Sequence, residues 1–262
     1  MTGLRITMLG CGGSQGVPTP AGEWGLCDPA NPRNSRLRSS ILIDIPDPAG
    51  PNRTILIDAG PDLRQQLLTV GCRRIDALLF THSHADHTHG IDDLRAVNRH
   101  MGATIPFWGS RATIDDLHRR FGYALVEDPN ATNFYRPALV PHEIAGPFEA
   151  AGVTVIPFEQ DHGFSRSWGF RIGNFAYSTD VVRLDDAAFA ALEGTEVWIV
   201  DCLREAPHPT HSHLQRTLGW IDRVKPRRAI FTHMDQSSDY DAIGRLCPAG
   251  VEPGYDGLII EL

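Results

Sequence analysis

Five short apolar segments of this sequence end in an aspartate or a histidine, and this repeated pattern restricts the possible folds more than any other feature. Apolar runs of this length, bounded by turn residues, predict buried strands. Because neighbouring strand ends lie side by side at one edge of a sheet, we expect the polar ends to converge there and to bind metal. The five segments are residues 55–58, 78–82, 155–162, 176–180 and 230–233.

The order of predicted strands and helices indicates the fold class. Strands come in runs in both halves of the chain and then alternate with helices, which favours an α/β fold with two packed sheets and helices outside them. No stretch rich in Pro or Gly is long enough to form a linker, so a single domain over residues 1–262 is expected. The predicted strands are residues 4–9, 40–45, 54–57, 77–80, 153–158, 175–178, 197–200, 229–232 and 258–262. The predicted helices are residues 62–70, 90–98, 111–121, 185–192 and 212–224.

The densest polar cluster has the sequence HSHADH at residues 82–87 and offers four potential metal ligands in six positions. Alternate residues His82 and His84 can face one ion, and Asp86 and His87, one turn later, can face another. A solvated His-rich loop is the plain alternative, but the remote polar strand ends argue against it. The distant residues expected to complete the two metal shells are His162, Asp180, which is placed to bridge, and His233.

Two further polar residues near this cluster are given other roles. Asp58 has no histidine beside it, so we expect it to orient a ligand imidazole or its loop rather than to bind metal directly. His89 follows the cluster, and we interpret it as a solvent-facing or capping histidine.

Net charge, apolar stretches and cysteine spacing argue against nucleic-acid-binding, membrane-spanning and disulfide-rich proteins. The formal net charge of −8 argues against broad electrostatic binding of nucleic acid or of acidic membrane surfaces. No stretch approaches the roughly 18 apolar residues of a membrane span, so no membrane partner is expected. The five cysteines are widely spaced and form no Cys-x-x-Cys pair, which is typical of a protein in a reducing cytoplasm.

The motif at residues 82–87, with Asp58 before it and three distant ligands after it, resembles the five-motif signature of the metallo-β-lactamase superfamily over nearly the whole chain. The resemblance implies a four-layer αβ/βα sandwich of two mixed β-sheets flanked by helices, with a dinuclear site between the sheets. It implies one ion bound by His82, His84 and His162, a second bound by Asp86, His87 and His233, and Asp180 bound to both.

The opening segment LGCGGSQGVP, residues 9–18, is similar to the amino-terminal loop of PhnP-like phosphodiesterases, which cleave cyclic phosphates. We expect the backbone amides of Gly12, Gly13 and Ser14 to bind phosphate oxygens as a nest, and glycines needed only for a tight turn are the open alternative. The irregular segment 10–38 is expected to cover the active site. One departure is Cys27, which stands alone where PhnP-like proteins carry a Cys-rich zinc loop, so that extra zinc site is not expected.

The expected chemistry depends on two divalent cations. Such a pair can lower the pKa of a shared water toward about 7 and neutralise charge on phosphate oxygens. A leaving alkoxide needs a proton, and the resemblance implies that His211 contacts phosphate and acts as the general acid. With it, Asp86 and Asp180 are expected to take part in catalysis. Imidazole with carboxylate suits zinc or manganese, with iron as a third option.

The sequence thus predicts a dinuclear metal-dependent hydrolase, a phosphodiesterase acting on a small cyclic phosphate or nucleotide-like diester. A thioester or lactone hydrolase of the same fold, as among glyoxalase II-like relatives, is one alternative. A PqqB-like protein that binds a small acidic metabolite without catalysis is the other. Processing of long nucleic acid is disfavoured because no appended nucleic-acid arm is seen. The oligomeric state, a homodimer included, stays open.

Overall fold

Two seven-stranded sheets form the framework of the computed structural model, which describes residues 3–125 and 139–262. The first sheet has the strand order β14-β1-β2-β3-β4-β5-β6, and the second has the order β13-β12-β11-β10-β9-β8-β7. The first sheet contains β1 (Arg5–Gly10), β2 (Ser40–Ile45), β3 (Arg53–Ile57), β4 (Ala77–Leu79), β5 (Ile105–Gly109), β6 (Leu139–Glu143) and β14 (Ile259–Glu261). The second contains β7 (Phe148–Ala150), β8 (Val153–Asp161), β9 (Arg166–Ile172), β10 (Phe175–Ser178), β11 (Val197–Asp201), β12 (Arg228–Thr232) and β13 (Val251–Pro253).

Both sheets are mixed. Strands β14, β1, β2 and β3 pair antiparallel, whereas β3, β4, β5 and β6 pair parallel. In the second sheet, β7 to β10 pair antiparallel and β10 to β13 pair parallel. Parallel neighbours need crossover connections, and helices supply most of them.

Helices and short 3₁₀ turns lie between the strands. The α-helices are α1 (Leu63–Val70), α2 (Ala85–Thr88), α3 (Leu94–Met101), α4 (Arg111–Phe121), α5 (Asp186–Ala191), α6 (Leu214–Val224) and α7 (Tyr240–Leu246). The 3₁₀ turns are Pro32–Asn34, Ile91–Asp93 and Gly122–Ala124. In the described ranges, no helix is both long enough and apolar enough to span a membrane.

Side chains that alternate along the strands build two cores. In β3, Ile55 and Ile57 join a core shared with the second sheet, while Leu56, which points to the opposite face, joins a core under the helices. Trp198 of β11 is fully buried in the shared core, and Leu63 of α1 is fully buried in the other. The predicted α/β sandwich of two mixed sheets flanked by helices is confirmed.

Among the described residues, nine of the fourteen strands were predicted and five were not. Every predicted strand and helix is present with small shifts at its ends, except that the segment predicted as one helix at 90–98 is a 3₁₀ turn followed by α3. The elements that were not predicted are β5, β6, β7, β9, β13, α2 and α7.

The irregular segment between β1 and β2 is fixed by buried polar contacts. The guanidinium of Arg36, 2 % exposed, donates to the Asn34 side chain and to the Ser238 carbonyl. The Asp256 carboxylate accepts the Cys11 amide at 3.0 Å and the Leu37 amide at 2.6 Å. These contacts tie both ends of the segment to the carboxyl-terminal part of the fold.

Candidate metal centre

The carboxyl ends of strands from both sheets meet at one place. Asp58 follows β3 and His82 lies beyond β4, while His162 follows β8 and His233 follows β12. Two groups of side chains each bring four potential ligand atoms within 4.8 Å of one another. One group is His82, His84, His162 and Asp180, and the other is Asp86, His87, Asp180 and His233. The structure therefore brings together all seven residues predicted as metal ligands.

Asp180 lies between the two groups. Its Oδ2 is 3.7 Å from Nε2 of His82 and 3.5 Å from Nε2 of His162. Its Oδ1 is 3.2 Å from Nε2 of His87 and 3.2 Å from Nε2 of His233. Each carboxylate oxygen thus faces a different group, which is the geometry a bridging ligand requires.

Several imidazole nitrogens at this place are buried and unpaired. The Nε2 atoms of His82, His87 and His233 have no hydrogen-bond partner among the described residues. Buried polar atoms are normally paired, and an unpaired one in a native fold calls for an explanation such as an ion. Neutral imidazole nitrogens are the commonest protein ligands of transition metals, so these residues fit a metal site.

The backbone at the site adopts a conformation that side-chain-bearing residues rarely take. Asp58, Asp180 and His233 have φ values of 62°, 53° and 59°, all in the left-handed region. Strain of this kind persists where the surrounding structure demands a particular side-chain direction, and it is concentrated at functional sites. Each residue directly follows or lies just beyond a strand end, where the backbone turns its side chain toward the cluster.

Two ligand candidates are oriented through Nδ1. Nδ1 of His87 lies 2.8 Å from Oδ2 of Asp58, whose carboxylate also accepts the amide and hydroxyl of Thr81. Nδ1 of His162 lies 2.8 Å from the Thr210 carbonyl oxygen. A carbonyl or carboxylate partner places the proton on Nδ1 and leaves Nε2 with its lone pair directed at the site. Asp58 therefore makes the contact expected of an orienting residue.

Charge at the site favours a cation. Burial lowers the pKa of His82 well below its usual value, so that ring is neutral. Burial raises the pKa of Asp180, but the imidazoles of His233 and His87 outweigh it and hold that pKa well below its usual value. Burial opposes a charged His87, yet the carboxylates of Asp180, Asp86 and Asp58 raise its pKa well above the usual value. These carboxylates thus favour positive charge at this position, which either a proton on His87 or a bound cation can supply.

His211 lies beside the two groups on the segment between β11 and α6. Its Nε2 is 3.8 Å from Oδ2 of Asp180, and its ring stacks on that of His233 with a centroid distance of 4.6 Å. Its Nδ1 is 3.2 Å from Oδ2 of Asp201. Burial disfavours the charged ring, but the Asp201 and Asp180 carboxylates outweigh that effect and raise the pKa of His211 to about 9.

Asp201 is the site residue that the sequence interpretation missed. It is fully buried at the end of β11, and its Oδ2 also accepts the amide of Val181 at 2.8 Å. The signal was present in the sequence, because residues 197–201 are one more apolar run ending in a carboxylate. The other histidines near the site lie farther out: His89 is exposed after α2, and His213 precedes α6 without capping it.

Two cavities open beside the cluster. One, of about 290 Å³, is lined by residues that include His84, Asp86 and Phe164. The second, of about 220 Å³, is lined by residues that include Gly13, Arg204 and His208. Ser14, His211 and His233 line both cavities.

The glycine-rich turn uses two of its amides within the fold. The amides of Gly12 and Gly13 donate to the carbonyls of Leu37 and Met234, at 2.8 and 3.1 Å. These two amides hold the turn against its neighbours, so they are not free to form the predicted phosphate nest. Gly13 and Ser14 line a cavity, and their contact with substrate stays a prediction.

Comparison with known proteins agrees with the fold. Residues 53–234 match the model of the beta-lactamase superfamily domain. A solved structure described as a new diphosphatase from the PhnP family superposes with a TM-score of 0.87 and 33 % sequence identity, over 99 % of this chain and 98 % of that chain. This likeness confirms the resemblance seen in the opening segment.

Two curated relatives are longer proteins. An octanoyltransferase of Porphyromonas gingivalis is 30 % identical over 258 residues, 97 % of this chain and 51 % of that protein. A ribonuclease Z of a Bradyrhizobium strain is 32 % identical over 143 residues, 53 % of this chain and 45 % of that protein. The matches thus span about half the length of each of these relatives. On the family match over residues 53–234, the chain belongs to the β-lactamase superfamily.

Proposed function

We propose that this protein is a metal-dependent hydrolase that uses two divalent cations to cleave a small phosphodiester. The observation that supports this most directly is the pair of four-ligand groups that share Asp180, with His211 held beside them. The proposal covers a small cyclic phosphate or a nucleotide-like diester as substrate.

The residues on each side of Asp180 define how the cations would be held. When bound, two divalent cations supply a water of lowered pKa and positive charge opposite the phosphate oxygens. Zinc or manganese suits this set of imidazoles and carboxylates, and iron is the third candidate. The proposed ligands are His82, His84 and His162 for one cation, Asp86, His87 and His233 for the other, and Asp180 for both.

His211 is proposed as the general acid. Its raised pKa keeps a proton on the ring at neutral pH, and Asp201 holds Nδ1 so that Nε2 faces the cluster. From Nε2, the proton passes to the leaving oxygen of the substrate as the phosphorus–oxygen bond breaks. Asp201 acts through His211 and is a positioning residue.

The size of the cavities and the relatives support a small phosphorus-containing substrate. The cavity beside His84, of about 290 Å³, is at the small end of the range for small-molecule sites. The PhnP-family structure is described as a diphosphatase, and one curated relative is a ribonuclease Z. Both names denote enzymes that cleave a phosphorus–oxygen bond.

An acyl substrate is the second candidate. The octanoyltransferase relative matches 97 % of this chain, and Phe164, whose side chain is 96 % exposed, lies beside the same cavity. An apolar side chain at this position can contact either an acyl chain or a planar ring of the substrate. A thioester or lactone hydrolase would use the same metal ligands.

Metal analysis followed by a substrate panel tests the proposal. We expect the purified chain to hold two equivalents of metal and to hydrolyse bis(p-nitrophenyl) phosphate and a cyclic phosphate faster than a thioester or a lactone. His84→Ala should lose metal and activity, whereas His89→Ala, a control at an exposed histidine nearby, should keep both. Hydrolysis of carbon esters alone would establish the acyl candidate instead.

A further inference from the structure

A third cavity, of about 430 Å³, is lined by residues of α6, of the end of β8 and of the segment after β10. None of the described residues that line it lines either cavity at the candidate metal centre. The turn at Gly163 lies between the two places, because a Cβ atom there would come within 2.7 Å of Cγ2 of Thr210, which lines the metal cavity. The proposed hydrolysis gives this third cavity no role.

Arg216 of α6 brings a positive charge to this cavity that the fold does not neutralise. The residue is half-buried, and its Nη1 is buried without a hydrogen-bond partner among the described residues. No carboxylate in that part of the chain forms an ion pair with it. A guanidinium has five N–H donors and stays charged, so a partly buried and unpaired one calls for an anionic partner.

The second arginine of the cavity is already neutralised. Nη2 of Arg183 lies 2.6 Å from Oδ2 of Asp161, whose Oδ1 accepts the Gly163 amide at 2.8 Å. Burial raises the pKa of Asp161, but the Gly163 amide and the Arg183 guanidinium outweigh it and lower that pKa, so the carboxylate stays ionised. The pair adds no net charge, and the charge of Arg216 is the one left over among the described lining residues.

The apolar part of the cavity wall suits a planar ring. Trp220 lies four positions after Arg216 on α6, so both side chains lie on the same face of the helix. The residue is half-buried against the core and lines the cavity together with Val182 and Pro209. Sites for small molecules are mostly apolar, with a few polar groups that fix the ligand's orientation. An indole beside a guanidinium therefore suits a ligand that carries both a planar ring and an anionic group.

We infer that this cavity binds a small organic anion, with its planar ring against Trp220 and its carboxylate or phosphate on Arg216. The volume of about 430 Å³ lies within the range of small-molecule sites. The inference goes beyond the proposed function, because the site contains none of the candidate metal ligands and needs no bound cation.

Calorimetric titration of the metal-free protein tests the anion contact. The wild type should bind 1-naphthoate about tenfold or more tightly than the neutral 1-naphthalenemethanol, and Arg216→Gln should remove this preference, because hydrogen bonds to a charged group are lost. Arg223→Gln is the matched control on the same helix, since Arg223 is paired with Asp186 and does not line the cavity.

AMP and adenosine form a second pair of probes, which decides between phosphate and carboxylate as the preferred anion. If neither anion binds more tightly than its neutral counterpart, the site does not exist. The same conclusion follows if Arg216→Gln keeps the preference of the wild type, or if Arg223→Gln loses it equally.

Three further variants locate the bound probe. Trp220→Leu should weaken binding of 1-naphthoate and of 1-naphthalenemethanol alike, about two- to tenfold, the value of an aromatic pair, whereas Trp220→Phe should keep most of the affinity. His211→Ala should bind both probes as the wild type does, because His211 lines only the cavities at the candidate metal centre. Thermal unfolding of each variant verifies that it is folded. Weaker binding by His211→Ala, or unchanged binding by Trp220→Leu, would overturn the inference, whether or not the loaded enzyme cleaves a phosphodiester.

Discussion

Nδ1 of His211 lies 3.2 Å from Oδ2 of Asp201, and Nε2 on the other edge of the ring lies 3.8 Å from Oδ2 of Asp180. The imidazole is therefore held between a buried carboxylate on one side and the candidate metal centre on the other. This arrangement raises the pKa of the His211 ring to about 9 and directs Nε2 at the candidate metal centre.

His211 should matter most where the leaving group needs a proton. His211→Ala should lower kcat about 10²- to 10⁴-fold for a cyclic phosphate, whose alkoxide needs a proton to leave. The loss should be much smaller for bis(p-nitrophenyl) phosphate, because p-nitrophenolate leaves without one. Steady-state kinetics on both substrates, with metal content measured alongside, checks this. Equal losses on the two substrates would exclude His211 as the general acid.

A double-mutant cycle examines the link between Asp201 and His211. Asp201→Asn should lower kcat for the cyclic phosphate, but the same change made in the His211→Ala background should have little further effect. Asp201 also accepts the Val181 amide, so thermal unfolding of each variant must be followed as a control. Additive losses in kcat would mean that Asp201 acts through the fold and not through His211.

Asp58 should control metal affinity. Asp58→Asn removes a carboxylate that accepts from His87 at 2.8 Å, so the ring loses its fixed orientation. Removing such a partner typically costs 10- to 100-fold in metal affinity, and we expect a loss in this range. Metal titration against a competing chelator measures it. An unchanged dissociation constant would show that metal binding by His87 does not depend on its contact with Asp58.

Phe164 should contact aromatic substrates. Phe164 is 96 % exposed in the turn between β8 and β9 and lines the cavity of about 290 Å³ at the candidate metal centre. Phe164→Ala should raise KM for bis(p-nitrophenyl) phosphate about two- to tenfold, the value of an aromatic pair, with kcat and thermal stability unchanged. Phe164→Trp should keep a low KM. If Phe164→Ala leaves KM as it is, the ring does not contact substrate.

Asp256 makes the stability of the fold depend on pH. Burial raises its pKa to about 7 from an ordinary value of 3.8, and the Leu37 and Cys11 amides only partly oppose this. The folded state therefore binds the proton more tightly than the unfolded state, and this contribution to stability is present below about pH 4 and lost as pH rises to about 7. The expected loss in the free energy of unfolding is a few kcal/mol.

Denaturant unfolding of the wild type and of Asp256→Asn between pH 4 and 8 checks whether stability falls as pH rises. The asparagine does not titrate, so the wild type should lose stability relative to the variant as pH rises, and the difference should become constant above about pH 7. A constant offset over the whole range would mean that Asp256 does not titrate there.

Most residues of the candidate site could be predicted from the sequence because they lie at strand ends. Apolar runs such as residues 230–233 locate both the strand and the residue that follows it, so His233 could be expected to complete one of the two metal shells. The family resemblance assigned it to the shell of His87. Asp201 follows the same rule and was missed because its histidine partner, His211, lies ten residues later rather than at the strand end. Contacts across such loops leave no periodic signal.

Local sequence also explains why several strands were not predicted. Pro106 and Pro141 interrupt β5 and β6, and proline argues against a strand in the local sequence. These strands nevertheless pair with each other, and β5 also pairs with β4. Strand β9 contains Arg166 and Arg171 among its apolar residues and is held by β8 and β10 on its two sides. Pairing with neighbours, not local pattern, makes these segments strands.

The hydrogen bond from the Cys11 amide to Asp256 joins residues 245 positions apart in the chain. During synthesis on the ribosome, the segment after β1 emerges early but cannot gain this contact until residue 256 has been made. The turn that carries Ser14 beside the candidate metal centre is therefore completed late.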